Sequence, residues 1–326
     1  MTQRSSNLIS AELVSVEYTT KTDYLAKFTF RPERAIGSSR GIEYSHTLGN
    51  SDERLFLPGQ YVTLGVNREG LTDVIDLNKY PADVKTISGK KTILRAYSVA
   101  SPPENKNIEL YITRVDRDGR RKDGRGVLST ELFESNPVSE YTLFPRATGV
   151  FLLPEHSKER GFTKEDKRTR LMIATGTGIA PYMSMLKSTS TEKDGRRFFL
   201  FHGVAYPEDH EYKDDIKKLM DEIDLKYIPI TSRGELKGYP QRYVEEFFLN
   251  REEGISGRVN EGEVKKAIGQ GMIRTTGIEE ILEHELNPRN TLLMLCGNPG
   301  MTDNIGLIAE ALEFKKRADL LTEDYW

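Results

Sequence analysis

Apolar and polar positions change rhythm half-way along the chain. In the N-terminal half the apolar residues come in short alternating runs: Leu13, Val14, Val16 and Tyr18, then Leu25, Ala26, Phe28 and Phe30. A period of two places one face of a strand on a core, so this stretch predicts an opening β-hairpin. Leu57-Pro58-Gly59-Gln60 reads as a turn feeding a strand from Tyr61 to Leu64, and 93–102 and 108–115 restore the alternation. Two polar excursions interrupt it, roughly Arg31 to Arg54 and Asn67 to Lys91. Short strands separated by turn residues predict an antiparallel barrel or sandwich.

The C-terminal half alternates strand with helix. Apolar strands are predicted at 171–174, 198–202, 227–230 and 292–296. Between and after them lie helical patterns at 182–186, 212–223 (apolar at Ile216, Leu219, Met220 and Ile223), 264–268, 277–285 and 305–317. That order predicts a doubly wound parallel sheet, whose ligands sit beyond the carboxyl ends of the strands. The charged stretch from Glu155 to Arg170 separates the halves, and the division expected is 1–160 and 161–326.

Candidate chemistry collects at the turns. Ala174-Thr175-Gly176-Thr177-Gly178-Ile179-Ala180-Pro181 joins a strand to a helix, where backbone N–H groups and the positive helix end can face a phosphate. Its spacing is not that of the usual dinucleotide fingerprint, and a plain glycine turn is the competing reading. Thr231-Ser232-Arg233 and Cys296-Gly297-Asn298-Pro299-Gly300-Met301 also fall at strand ends and could face the same crevice. In the first half, Arg95 and Tyr97 share one face of a strand, and Ala96 and Ser98 share the other. Arg95 and Tyr97 could hold a ligand with a phosphate and a flat ring, or form an ordinary exposed pair. Asp123 to Leu132 reads as a glycine turn into a short helix capped by Ser129 or Thr130. From Arg114 to Arg125 six basic residues outnumber three acidic ones, a solvated loop or a docking site for an acidic partner.

Composition narrows the classes. A hydrophobic share of 37%, a charged share of 30% and a net charge of −3 over 326 residues describe a globular chain without a nucleic-acid footprint. No apolar run reaches the roughly 18 residues of a membrane span and the start lacks a signal pattern, so a cytoplasmic protein is expected. The single cysteine, Cys296, excludes an internal disulfide and an iron–sulfur cluster, which takes four. Redox chemistry would then need an organic cofactor. The five histidines have no metal-ligand spacing, no metal is expected, and none is assigned a catalytic role.

Taken in order, Leu57-Pro58-Gly59-Gln60-Tyr61, Arg95-Ala96-Tyr97-Ser98, Gly126-Val127-Leu128-Ser129, Thr175 to Pro181, Ser232-Arg233, Cys296 to Met301 and the terminal Glu323-Asp324-Tyr325-Trp326 resemble the ferredoxin:NADP reductase family, in its bacterial form. The resemblance spans nearly the whole chain. It implies an N-terminal antiparallel β-barrel for FAD at 1–160 and an α/β domain for NADP at 161–326. It implies that Arg95 contacts the FAD pyrophosphate, Tyr97 packs on the flavin, and Ser98 bonds near flavin N5. Gly126, Val127 and Ser129 would support the pyrophosphate. Thr175, Gly176, Thr177 and Gly178 would cradle NADP(H), and Ser232, Arg233 and Arg258 would hold its 2′-phosphate. Cys296 and Glu323 would lie at the hydride-transfer site with Ser98, and Tyr325 or Trp326 would cover the flavin ring until nicotinamide displaces it. The partner implied is ferredoxin or flavodoxin, a separate acidic electron carrier.

Two departures matter. The polar excursions lengthen the barrel beyond the compact bacterial form, and Ala205 stands where a basic residue often follows the His202 strand end, which weakens the preference for NADP. Two other readings stay open: a reductase component serving an oxygenase or haem protein, and a non-catalytic nucleotide-binding module.

Overall fold

The computed structural model describes residues 8–19, 24–33, 36–38, 56–70, 84–87, 89–115, 126–134, 139–154, 166–189, 195–233, 243–249 and 260–324. The chain forms two units, Met1–Leu152 with Met183–Met185, and Leu153–Tyr182 with Leu186–Trp326. No helix among the described residues is long and apolar enough to cross a membrane.

In the first unit β1 (Ile9–Tyr18) and β2 (Leu25–Pro32) make the expected hairpin. Its register shifts between Leu13 and Ser15, so Val14 is an extra, exposed residue; a bulge explains why two apolar residues stand together in an alternating strand. The chain continues through the short β3 (Gly37–Ser38), β4 (Tyr61–Asn67), β5 (Val84–Ile87), β6 (Lys90–Ser98) and β7 (Ile108–Thr113). After α1 (Val127–Glu134) come β8 (Glu140–Leu143) and β9 (Arg146–Ala147). Seven strands form one antiparallel sheet in the order β5-β6-β4-β8-β1-β2-β7. A bridge from Val99 to Leu110 and the bond Ala100 N–H to Glu109 O (2.8 Å) tie the end of β6 back to β7 and curl the sheet on itself. Phe28, Phe30, Val62, Leu64, Val66, Ile93 and Leu110 fill the interior, where each large apolar side chain contributes about 1.5–3 kcal/mol.

Not all of the second polar excursion is loop, because β5 pairs with β6 as a hairpin inside it. Within the first, Ile36 is buried and β3 pairs in parallel with β9. Residues 34–35, 39–54, 71–83 and 88 of the two excursions lie outside the described residues.

In the second unit β10 (Thr169–Thr175) leads through a 3-10 turn, Gly176–Ile179, into α2 (Ala180–Thr189). Then follow β11 (Arg197–Val204), α3 (Lys213–Glu222), β12 (Asp224–Thr231), α4 (Glu261–Gly269), α5 (Thr276–Leu282), β13 (Thr291–Gly297), α6 (Pro299–Ala311) and β14 (Leu320–Asp324). The sheet is parallel, in the order β12-β11-β10-β13-β14, with β10 at the centre. Both faces of a doubly wound sheet are covered, which is why β10 and β13 are buried almost throughout. Leu171, Ile173, Phe199, Phe201, Leu293 and Leu295 pack on one face with Val264, Ile278, Ile305 and Ile308 from α4, α5 and α6. Residues of the opposite parity, among them His202 and Cys296, point to the other face.

The last helix lies six residues earlier than its pattern suggested and has the same length. Asn298 caps it through Gly300 N–H (2.9 Å), and Pro299 occupies its first turn. It ends with Glu313 in a left-handed conformation, Glu313 N–H bonded to Glu310 O (3.0 Å) and Phe314 N–H to Ala309 O (2.9 Å). That Schellman turn buries Phe314 and frees the following residues for β14, a fifth strand that the short apolar pair Leu320-Leu321 did not announce.

Candidate functional site

The carboxyl end of β10 is where the second unit's glycines meet. Thr175 leaves the strand extended and Gly176 turns at φ +54. A Cβ on Gly178 would collide with the Cys296 carbonyl oxygen and lie 2.8 Å from Gly297 Cα. A Cβ on Gly297, itself at φ +132, would collide with Thr175 Oγ1 and with the Thr175 carbonyl. The two loops therefore fit together only as glycines, and Thr175 Oγ1 fastens them by accepting from Asn298 N–H at 2.8 Å. Gly176 differs: a Cβ there would meet nothing within 4 Å, so that position faces open space. Thr177, partly exposed, completes the turn, and its carbonyl accepts from Ala180 N–H. At the switch point between β10 and β13 this is a glycine turn, open at Gly176, beside a helix start, a geometry suited to a phosphate.

Cys296 is fully buried on β13, level with Ala174 of β10 and Glu323 of β14. Tyr182 lies close by: its hydroxyl donates to Ile173 O at 3.2 Å, and burial, then the charges of Cys296 and Glu323, push its pKa well up. Thr302 Oγ1 donates to Asp324 Oδ1 at 2.5 Å, which ties α6 to the strand carrying Glu323. The structure thus brings Thr175, Gly176, Gly178, Cys296 and Glu323 to one end of three adjoining strands. Ser232 and Arg233 follow β12, two strands away from β10. Their N–H groups bond Val204 O (2.9 Å) and Ala205 O (2.7 Å), and Arg233 is exposed. Arg258, Tyr325 and Trp326 lie outside the described residues, as do residues 116–125 of the basic loop.

In the first unit Arg95 stands opposite Leu64, Tyr97 opposite Val62, and Ser98 opposite Tyr61. Tyr97 packs against the interior, where burial raises its pKa and Arg95 opposes the rise. Arg95 Nη1 donates to Leu94 O at 2.8 Å, and Ser98 is buried. α1 lies against β4 and β6, preceded by Gly126 at φ +84. Ser129 and Thr130 are not its caps, because the helix already begins at Val127. The Ser129 hydroxyl instead donates back to Gly126 O (3.0 Å) and accepts from Val115 N–H (3.2 Å), bracing the turn from behind.

Two residues that the sequence did not mark complete the second unit's loop. One is Asn298, which both caps α6 and meets Thr175. The other is His202, buried on β11, whose Nε2 lies 2.9 Å from Gly176 O. Its only signal was a polar residue in an otherwise apolar strand, at the strand end beside Gly203.

Known proteins with this layout agree in sequence as well as in shape. Residues 172–257 match the oxidoreductase NAD-binding domain family. A flavodoxin/ferredoxin–NADP reductase of Buchnera aphidicola (subspecies Baizongia pistaciae) is 26% identical over 245 residues, 72% of this chain and 82% of that protein. The flavodoxin/ferredoxin–NADP reductase of Escherichia coli K12 is also 26% identical, covering 76% of this chain and 75% of that one. In sequence the chain is similar to the ferredoxin:NADP reductases. A solved ferredoxin NADP+ reductase from Neisseria gonorrhoeae, with bound FAD and NADP, superposes with a TM-score of 0.63 at 21% identity, over 98% of this chain and 99% of that one. The fold is therefore that of the ferredoxin:NADP reductases along the whole chain.

Proposed function

We propose that this chain is a FAD-dependent ferredoxin/flavodoxin:NADP reductase, with residues 1–160 as the FAD domain and 161–326 as the NADP domain. The observation that carries the reading is the turn at the ends of β10 and β13, where Gly178 and Gly297 pack backbone against backbone while Gly176 faces open space beside the start of α2. Together with the relatives above, it supports a dinucleotide site rather than a plain turn. The residues present fit both cofactors. On the NADP(H) side, Thr175, Gly176, Thr177 and Gly178 supply backbone N–H groups, Ser232 and Arg233 supply polar and cationic groups for a 2′-phosphate, and Arg258 adds a second cation. On the FAD side, Gly126 at φ +84 opens the start of α1, and Arg95, Tyr97 and Ser98 offer a cation, a ring and a hydroxyl on one strand.

FAD, when bound, would supply a group that can accept one hydride, two electrons with a proton, from NADPH and release the two electrons singly to ferredoxin or flavodoxin. The protein orients and shields. Tyr97 offers a flat, mostly buried face for a ring, and Ser98 a hydroxyl from the other face of the same strand. Cys296 and Glu323, side by side on β13 and β14, shape the nicotinamide end of the second unit. By the family resemblance, Tyr325 or Trp326, which lie outside the described residues, would cover the flavin until nicotinamide displaces it. The basic stretch from Arg114 to Arg125 docks the acidic carrier. We place the protein in the cytoplasm, where a lone thiol such as Cys296 stays reduced.

The test is an anaerobic titration of the FAD-loaded protein. NADPH should bleach the flavin band and NADH should not. Arg233→Ala should raise the KM for NADPH by about 10- to 100-fold, the worth of a hydrogen bond to a charged group, without affecting NADH. A protein that stays colourless when FAD is supplied, or that is bleached equally by both nucleotides, would refute this assignment.

A further inference from the structure

Behind the phosphate-facing loop lies a buried polar cluster that the reductase reading does not use. His202 is fully buried and His210 nearly so, and Tyr227 adjoins both. Since Gly176 O can only accept, His202 Nε2 carries the ring proton and Nδ1 carries a lone pair. That lone pair faces the Tyr227 hydroxyl at 3.3 Å and His210 Nδ1 at 3.4 Å, and Tyr227 and His210 are themselves 3.0 Å apart. The Tyr227 hydroxyl can offer hydrogen to Nδ1, whereas His210 spends its one ring proton on the backbone of Ile230 and neither Gly176 nor the apolar strand can donate, so Tyr227 selects the tautomer that donates forward.

What this bond does follows from peptide geometry. In a trans peptide the C=O and the next N–H point in opposite directions, and no cis bond is present among the described residues. Drawing Gly176 O toward His202 turns the Thr177 N–H away from it. Gly176 sits at φ +54 with open space where a Cβ would be, so sterics alone do not hold this peptide plane against a flip. We propose that His202 is a positioning residue for the dinucleotide phosphate: through Gly176 O it locks the loop with its N–H donors turned to the ligand, and Tyr227 keeps its ring in the donating form.

The inference rests on the dinucleotide reading above, and the measurement separates the two. The dissociation constant of NADP+ is determined by calorimetry on the FAD-loaded protein, with KM for NADPH and kcat with an artificial acceptor. His202→Leu should weaken NADP+ and raise KM about tenfold, near the upper end for one neutral hydrogen bond, while kcat at saturation changes far less. His202→Gln, which can still donate to Gly176 O, should recover most of that loss. Tyr227→Phe should weaken binding about threefold, since it disturbs the tautomer without removing the donor. Unchanged affinity in His202→Leu overturns the proposal, and so does a His202→Gln variant no better than His202→Leu. If His202→Leu does not fold, Tyr227→Phe decides, and unchanged affinity in it overturns the proposal. A wild-type protein that binds NADP+ and NAD+ alike counts against the NADPH assignment alone, because both nucleotides share the pyrophosphate and the His202 differences still read. A wild type that binds neither overturns both.

Discussion

The turn before α1 and the turn before α2 are built from similar letters, glycines with hydroxyl residues, and are held in different ways. The first is braced by its own helix: Ser129 returns its hydroxyl to Gly126 O and receives Val115 N–H. The second is held from outside, by the backbone of β13 against Gly178, by Asn298 on Thr175, and by His202 on Gly176 O. A turn braced locally tolerates change around it. One fixed by distant strands inherits their tolerance, and glycine there is a packing requirement as much as a conformational one.

The largest effect that would test this contrast is at Gly178. Gly178→Ala drives a methyl into the Cys296 backbone, which cannot swing aside, and should cost roughly 3 kcal/mol of stability together with most nucleotide affinity. Gly176→Ala meets no atoms and should cost only about 1 kcal/mol, from its left-handed backbone. Urea unfolding of both variants checks the ordering; equal losses would mean that backbone strain, not the approach of β13, governs the loop.

Next in size is a dependence on acid. Burial pushes His202 down to about 4, the Gly176 bond only partly opposing it; burial, with the charges of His202 and Lys213, pushes His210 down to about 2 against a backbone bond to Ile230. The unfolded chain binds these protons near the ordinary histidine value of 6.5, so the stability due to His202 is complete above that pH and is lost as pH falls towards 4. The loss is about 3 kcal/mol for His202 alone. Asp166 acts lower: burial raises it, but its bonds to Arg168 and the charge of Arg170 outweigh this and hold it at about 2, so its contribution fades only below 3.8. Unfolding free energies between pH 7 and 4.5 should fall steeply in the wild type and less in His202→Gln; identical slopes would show that the ring does not titrate with folding.

The smallest effect concerns the other turn. Ser129→Ala removes two bonds internal to the first unit and should cost about 1 kcal/mol, with a modest loss of FAD on dilution. A loss as large as that of Gly178→Ala would erase the distinction between the two turns.

Much of the architecture was legible in the order of residues. The parallel strands announced themselves because burial on both faces demands unbroken apolar runs, as in Leu171-Met172-Ile173 and Leu292 to Cys296. β8 and β14 were not legible: Glu140 to Leu143 and Leu320 to Asp324 are short edge-like runs whose strand character comes from the partners they pair with. The helix caps at Ser129 and Thr130 were misplaced because a hydroxyl after a glycine turn can cap a helix or brace the turn, and only the start at Val127 decides. His202 was read as a residue without a role, since a histidine's partners are not its sequence neighbours.

The sequence by itself determined the two-part layout, the parallel order of the second half, and the positions where turns carry glycine, because these follow from local periodicity and backbone freedom. Tertiary structure alone decided which glycines must be glycine, which tautomer His202 holds, and that Cys296 and Glu323 stand level on neighbouring strands. Those depend on atoms brought together from as far apart as Thr175 and Asn298, and no local pattern specifies a distance of 2.8 Å between them.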